Sequence, residues 1–73
     1  MKYRFHASLV EAVQVRGLTV GRLAELAQVS PSTVSSALHG REVQIATAIR
    51  IARAVSQAPV VAELERWSGG GVE

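Results

Sequence analysis

The chain has 73 residues, a net charge of +2, no cysteine and 48% hydrophobic residues. That length allows one domain, burying about 60% of the surface its unfolded form would expose. It excludes disulfide staples, a thiolate metal site and, with no apolar run of about 20 residues, a membrane span. The opening segment lacks the apolar stretch of a signal peptide, so a cytoplasmic location is expected. Residues 1–55 carry seven basic side chains against three acidic, and residues 56–73 carry one against three. A basic body with an acidic end suits a polyanionic partner, although ordinary surface charge has the same signature.

Residues 1–7 read either as a short strand, with Tyr3 and Phe5 alternating with Lys2, Arg4 and His6, or as a frayed helix start. Lys2 and Arg4 form either a basic arm or a solvated terminus. The spacing Ser8 to Glu11 is that of a capping box and predicts a helix from Ser8, carrying Leu9 and Val13 inward and stopping at Gly17. Thr19 is the expected cap of a second helix, whose inner face is Leu23, Ala24 and Ala27 and whose Glu25 faces solvent. Gln28-Val29-Ser30 interrupts the periodicity. Ser30 and Pro31 then restart it, as cap and first helical residue, for a third helix that ends at Gly40 and turns Val34, Ala37 and Leu38 inward. A loop is expected at Arg41-Glu42-Val43. The fourth helix shows a stripe of Ile45, Ala48, Ile49, Ala52 and Val55 at helical spacing, with Thr47, Arg50, Ser56 and Gln57 mostly opposite. Ile51 lies off that stripe, which assigns it to a contact with the last helix or with a partner subunit. Pro59 is expected to open a fifth helix bearing Val60, Val61, Leu64 and Trp67, before a glycine-rich tail at residues 69–73.

The stretch from Leu18 to Gly40 resembles the helix-turn-helix of the Cro and phage-repressor (Xre-type) family. Ala24 matches the small residue of the motif's first helix and Val34 the branched residue of its second. Residues 30–40 also resemble the recognition helix of the LacI family. The resemblance covers roughly residues 5–66 and departs from the usual pattern at Gln28, where glycine is common, and at Val20, where a polar phosphate contact is common. It implies an all-α, compact five-helix domain like that of lambda repressor, with the helix-turn-helix at helices 2 and 3, over residues 1–68.

The implied function is a sequence-specific regulator binding double-stranded DNA, a Cro-like or immunity-type repressor of a phage or mobile element, with the helix at 31–39 in the major groove. Ser32, Thr33, Ser35 and Ser36 of that helix and Gln28 of the turn are the candidates for base readout. No Arg, Lys, Asn or Gln stands on the helix, so bidentate reading of guanine or adenine is replaced by hydroxyl, water-mediated and thymine-methyl contacts and by sensitivity to DNA shape. Thr19, Arg22, Ser30, His39, Arg41 and Gln44 are the candidates for phosphate contacts. Arg22 alternatively pairs with Glu25, and Arg50 and Arg53 with Glu63 or Glu65. A homodimer is expected, formed in solution or only on DNA, with Ile51, Val60, Leu64 and Trp67 as candidate contacts. Alternatively the apolar residues at 60–67 simply close the core. No cofactor, metal or small-molecule ligand is expected. An enzyme is disfavoured, because the sequence has no aspartate or cysteine and its carboxylates are scattered. Three other readings use the same fold: a protein-binding module or an antitoxin-like protein acting through the helix at 59–67, and an excisionase-like architectural protein.

Overall fold

The computed structural model describes residues 1–61. Four helices and one short antiparallel ladder follow in the order β1 (Lys2–Tyr3), α1 (Ser8–Val15), α2 (Val20–Ala27), α3 (Pro31–Leu38), β2 (Val43–Gln44) and α4 (Ile45–Gln57). In the ladder Lys2 stands opposite Gln44 and Tyr3 opposite Val43. The architecture is therefore mostly helical rather than purely so. The strand alternative for residues 1–7 is the one realised, and Val43, expected in a loop, is a buried strand residue.

The central element is α2, which packs against both α3 and α4. Leu23 of α2, Val34 of α3 and Ile51 of α4 are the largest fully buried side chains, each worth about 1.5–3 kcal/mol of burial. Ala24, Ala27 and Ala37 are buried beside them, and their small side chains let α2 and α3 approach closely. Thr19 caps α2 as expected, its hydroxyl accepting the Arg22 N–H at 3.0 Å. The Ser30 hydroxyl likewise accepts the Thr33 N–H at 3.2 Å, with Pro31 opening α3.

Three of the helices end in the same way. Gly17, Gln28 and Gly40 all adopt positive φ, at 66°, 59° and 75°. After each, the next residue's N–H reaches back five positions: Leu18 to Val13 O at 3.2 Å, Val29 to Ala24 O at 3.0 Å and Arg41 to Ser36 O at 3.0 Å. These bonds satisfy carbonyls that a helix end otherwise leaves unpaired.

Four expectations need correction. The capping box at Ser8 does not form: Ala7 is the cap residue, and the Ser8 N–H donates instead to His6 Nδ1 at 3.1 Å. The buried face of α4 is rotated from the expected stripe, because Ile51 and Ala54 are buried with Ala48 and Val55 while Ile49 and Ala52 are exposed. Ile51, a candidate dimer contact, is fully buried in the core and faces no partner. Residues 59–61 are not helical. Ala58 is extended, at φ −82° and ψ 130°, the conformation that a following proline imposes by clashing with a helical predecessor. Arg16 fixes this exit, donating from Nε to Ala58 O and from Nη1 to Ala12 O, both at 3.0 Å. Val61 then donates its N–H to Val15 O at 2.9 Å. Val60, another candidate dimer contact, is half-buried beside this crossing. Leu64 and Trp67, the proposed partners Glu63 and Glu65, and the tail at 69–73 lie outside the described residues.

Candidate nucleic-acid interface

The site begins with the way α3 is held. Its inner side, Val34 and Ala37, is buried, and the helix packs mainly on α2 and β2. Pro31, Ser32 and His39 are exposed, whereas Thr33, Ser35 and Ser36 are half-buried. The four hydroxyl residues expected to point outward are thus split. Ser32 is exposed, and Thr33 and Ser36 look into a hollow of about 240 Å³ that is also lined by Lys2, Glu42, Gln44 and Thr47.

Much of the hydroxyl chemistry is already engaged within the chain. Ser30 Oγ lies 2.7 Å from Thr33 Oγ1 and 3.2 Å from Ser32 Oγ. Since Ser30 also accepts the Thr33 N–H, its role is to cap α3 and to orient its neighbours; a phosphate would have to compete for it. At the far end of the helix, His39 Nδ1 sits 2.7 Å from the Ser35 carbonyl oxygen. A carbonyl only accepts, so Nδ1 carries the hydrogen. The exposed ring thereby keeps Nε2 for an external group.

The other candidates take up distinct positions. Arg41 is exposed directly after α3, and its guanidinium meets no carboxylate among the described residues. Arg22 is paired with Glu25 at 3.2 Å, as its local alternative has it, and the Thr19 hydroxyl is committed to its cap. Gln44 precedes α4 without a side-chain cap bond, and it reaches the same hollow as Thr33 and Ser36. Gln28 is not brought to this group. It lines a separate hollow with Leu26, Arg50 and Arg53, and its carbonyl accepts from Arg50 Nη1 at 3.5 Å.

Lys2 and Thr47 are the residues whose place in this hollow sequence reasoning missed. Lys2 is no free arm: the ladder sets it opposite Gln44, within reach of α3. Arg4 is spent on Glu42 at 3.5 Å, a pair exposed enough to contribute little stability. The alternation at residues 2–6 offered a strand, but two residue pairs give no signal of which segment a strand pairs with, so nothing set Lys2 opposite Gln44. Thr47 was legible only as a polar residue on the side of α4 away from its apolar stripe.

The group so assembled is a shallow polar concavity with one lysine, one amide, several hydroxyls and one carboxylate, Glu42, whose charge is offset by Arg4, next to an exposed arginine and the start of α4. It offers hydrogen-bond donors to anionic oxygens and short hydroxyls to base edges. No protein-family model, curated protein or solved structure matches this chain.

Proposed function

We propose that the chain is a sequence-specific regulator of double-stranded DNA, of the Cro-like or immunity-type repressor class, in which α2 and α3 form a helix-turn-helix and α3 enters the major groove. The supporting observation is the outer side of α3, where Ser32 is exposed and the half-buried Thr33 and Ser36 open onto the hollow shared with Lys2, Glu42, Gln44 and Thr47. A helix-turn-helix presents the N-terminal residues of its second helix to base edges. In this chain those residues are hydroxyls, which suits close approach, water-bridged contacts and thymine-methyl contact from Thr33. Arg41, Lys2 and the start of α4 supply the phosphate contacts that set register. The protein works as a homodimer, each copy reading a half-site about 34 Å from the other.

The test is a binding titration with labelled duplex across a range of salt. Arg41→Ala is expected to weaken binding to every duplex and to reduce the salt slope by about one unit. An unchanged slope would remove Arg41 from the interface.

A second reading, a protein-binding module, draws on the depression of about 740 Å³ lined by Leu18, Leu26, Ala54, Pro59 and Val60, in which Leu26 is 43% exposed. The helix that this reading places at 59–67 does not begin at Pro59, so its first turn has to be replaced by an extended segment. A pull-down that fails on Leu26→Asp while DNA binding persists would favour it.

A further inference from the structure

The rotation of α4 leaves half of its apolar stripe on the outside. Ile45, Ile49, Ala52 and Ser56 recur at intervals of four, three and four, the spacing of a seam that meets another helix. Ile49 is 46% exposed, and Ala52 and Ser56 are small enough for close approach. Beside Ala52 and Ser56 runs a groove of about 270 Å³, lined also by Ser8, Leu9 and Ala12 of α1 and by Tyr3, Phe5 and His6. The two rings meet edge to face at a centroid distance of 5.0 Å. Tyr3 is 43% exposed, and Val15, one turn after Glu11 on the same side of α1, is 36% exposed. One face of the molecule therefore carries Tyr3, Val15, Ile49 and the small residues between them. None of these is charged.

The outer rims of this face have opposite signs. Outside the groove, Glu11 lies one position before Ala12 on α1, and Arg53, which also borders the Gln28 hollow, lies one position after Ala52 on α4. Both side chains are exposed, and neither has an ionic partner among the described residues. A two-fold axis running along the groove would lay α1 of one copy against α4 of the other, bringing each Glu11 to the other copy's Arg53. An axis across the groove would instead set like rims together. The face is self-complementary in the first arrangement only.

We propose that a second copy of this chain docks on the α1–α4 face, with Ile49 and Tyr3 in the apolar centre and Glu11 and Arg53 paired across the two-fold. This rests on the dimer clause of the proposed function but not on DNA binding. Because α3 packs mainly on α2 and β2, the contact would leave the reading helices uncovered.

The experiment is sedimentation equilibrium of the full chain without DNA, with circular dichroism as the folding control. The wild type should be dimeric at high concentration and Ile49→Glu monomeric with its helical signal intact. Glu11→Arg and Arg53→Glu should each weaken the dimer about tenfold, because each turns two attractive pairs repulsive. The double reversal should restore it, which keeps the test valid even where Ile49→Glu unfolds. A wild type that is monomeric at every concentration, as when the chain's own C-terminal residues cover the groove, would overturn the proposal. So would a dimer indifferent to Ile49→Glu and to both reversals. Binding of the variants to a half-site duplex is read separately: its absence would remove the DNA reading and leave the dimer result standing.

Discussion

Gln28 holds a backbone conformation that Gly17 and Gly40 hold without a Cβ, and the difference is measurable. A left-handed residue other than glycine costs about 1–2 kcal/mol, against about 0.5–1 kcal/mol of extra chain entropy that glycine loses on folding. Gln28→Gly is therefore expected to raise stability by about 0.5–1 kcal/mol in a urea titration, while Gly40→Ala lowers it by about 1 kcal/mol. Equal effects of opposite substitutions would mean that the αL cap is not what fixes the turn. The same residue was legible in the sequence as the place where glycine is usual, and the structure supplies the φ of 59° that explains the usage. Gln28 is also the residue whose proposed role moved furthest. Its side of the turn faces Arg50 and Arg53, away from the hydroxyls of α3.

At the scale of the elements, α4 teaches the most. Its sequence offers two overlapping apolar stripes, one through Ile45, Ile49 and Ala52 and the other through Ala48, Ile51 and Val55. Periodicity alone does not choose between them. The choice is made by packing on α2: Ile51, like Leu23, is fully buried in the core that the two helices share. Ile51→Ala is accordingly expected to cost about 2–5 kcal/mol, and Ile49→Ala less than about 1 kcal/mol, in thermal or denaturant unfolding. A reversed order would restore the stripe read from the sequence. Most of the local signals match the structure, with Thr19 as cap, Ser30-Pro31 as a restart and Gly17 and Gly40 as stops, the capping box at Ser8 being the exception. What was missed depends on distant partners. The β1–β2 ladder joins residues about 40 apart through two residue pairs. Residues 59–61 leave α4 without starting a helix, tied down by Arg16 on the Ala58 carbonyl and by the Val61 N–H on the Val15 carbonyl. Arg16→Ala removes two bonds to backbone carbonyls. It is expected to lower stability by about 1–3 kcal/mol, with faster amide exchange at Val61 as the local sign.

For the whole molecule, a chain of 73 residues without cysteine, whose described part is four short helices and a small ladder, is small enough that every large apolar side chain matters. Two faces of the described chain still carry exposed apolar groups, one around Leu26 and one along α1 and α4. No helix among the described residues is long and apolar enough to cross a membrane. The polar concavity beside α3 lies apart from both faces, so reading and association would be separable functions of one small domain. The modest net charge fits this division: phosphate contacts would come from the few placed cations, Arg41 and Lys2, and affinity would fall steeply only as each is removed. The candidate site was legible in the sequence as a hydroxyl-bearing helix, but not as a concavity, because the alternation at residues 2–6 suggests a strand without saying that it pairs with Val43 and Gln44.

The most direct test of the central claim is competition binding. The wild type, Ser32→Ala and Ser36→Ala are titrated against duplex from immediately upstream of the chain's own coding sequence and against a scrambled duplex of equal composition. The wild type should prefer the upstream duplex by about 10³-fold or more. Each serine variant should lose about 1 kcal/mol of that preference while keeping its affinity for the scrambled duplex. Equal affinity of the wild type for both duplexes, or a preference untouched by either substitution, would contradict a reading role for α3.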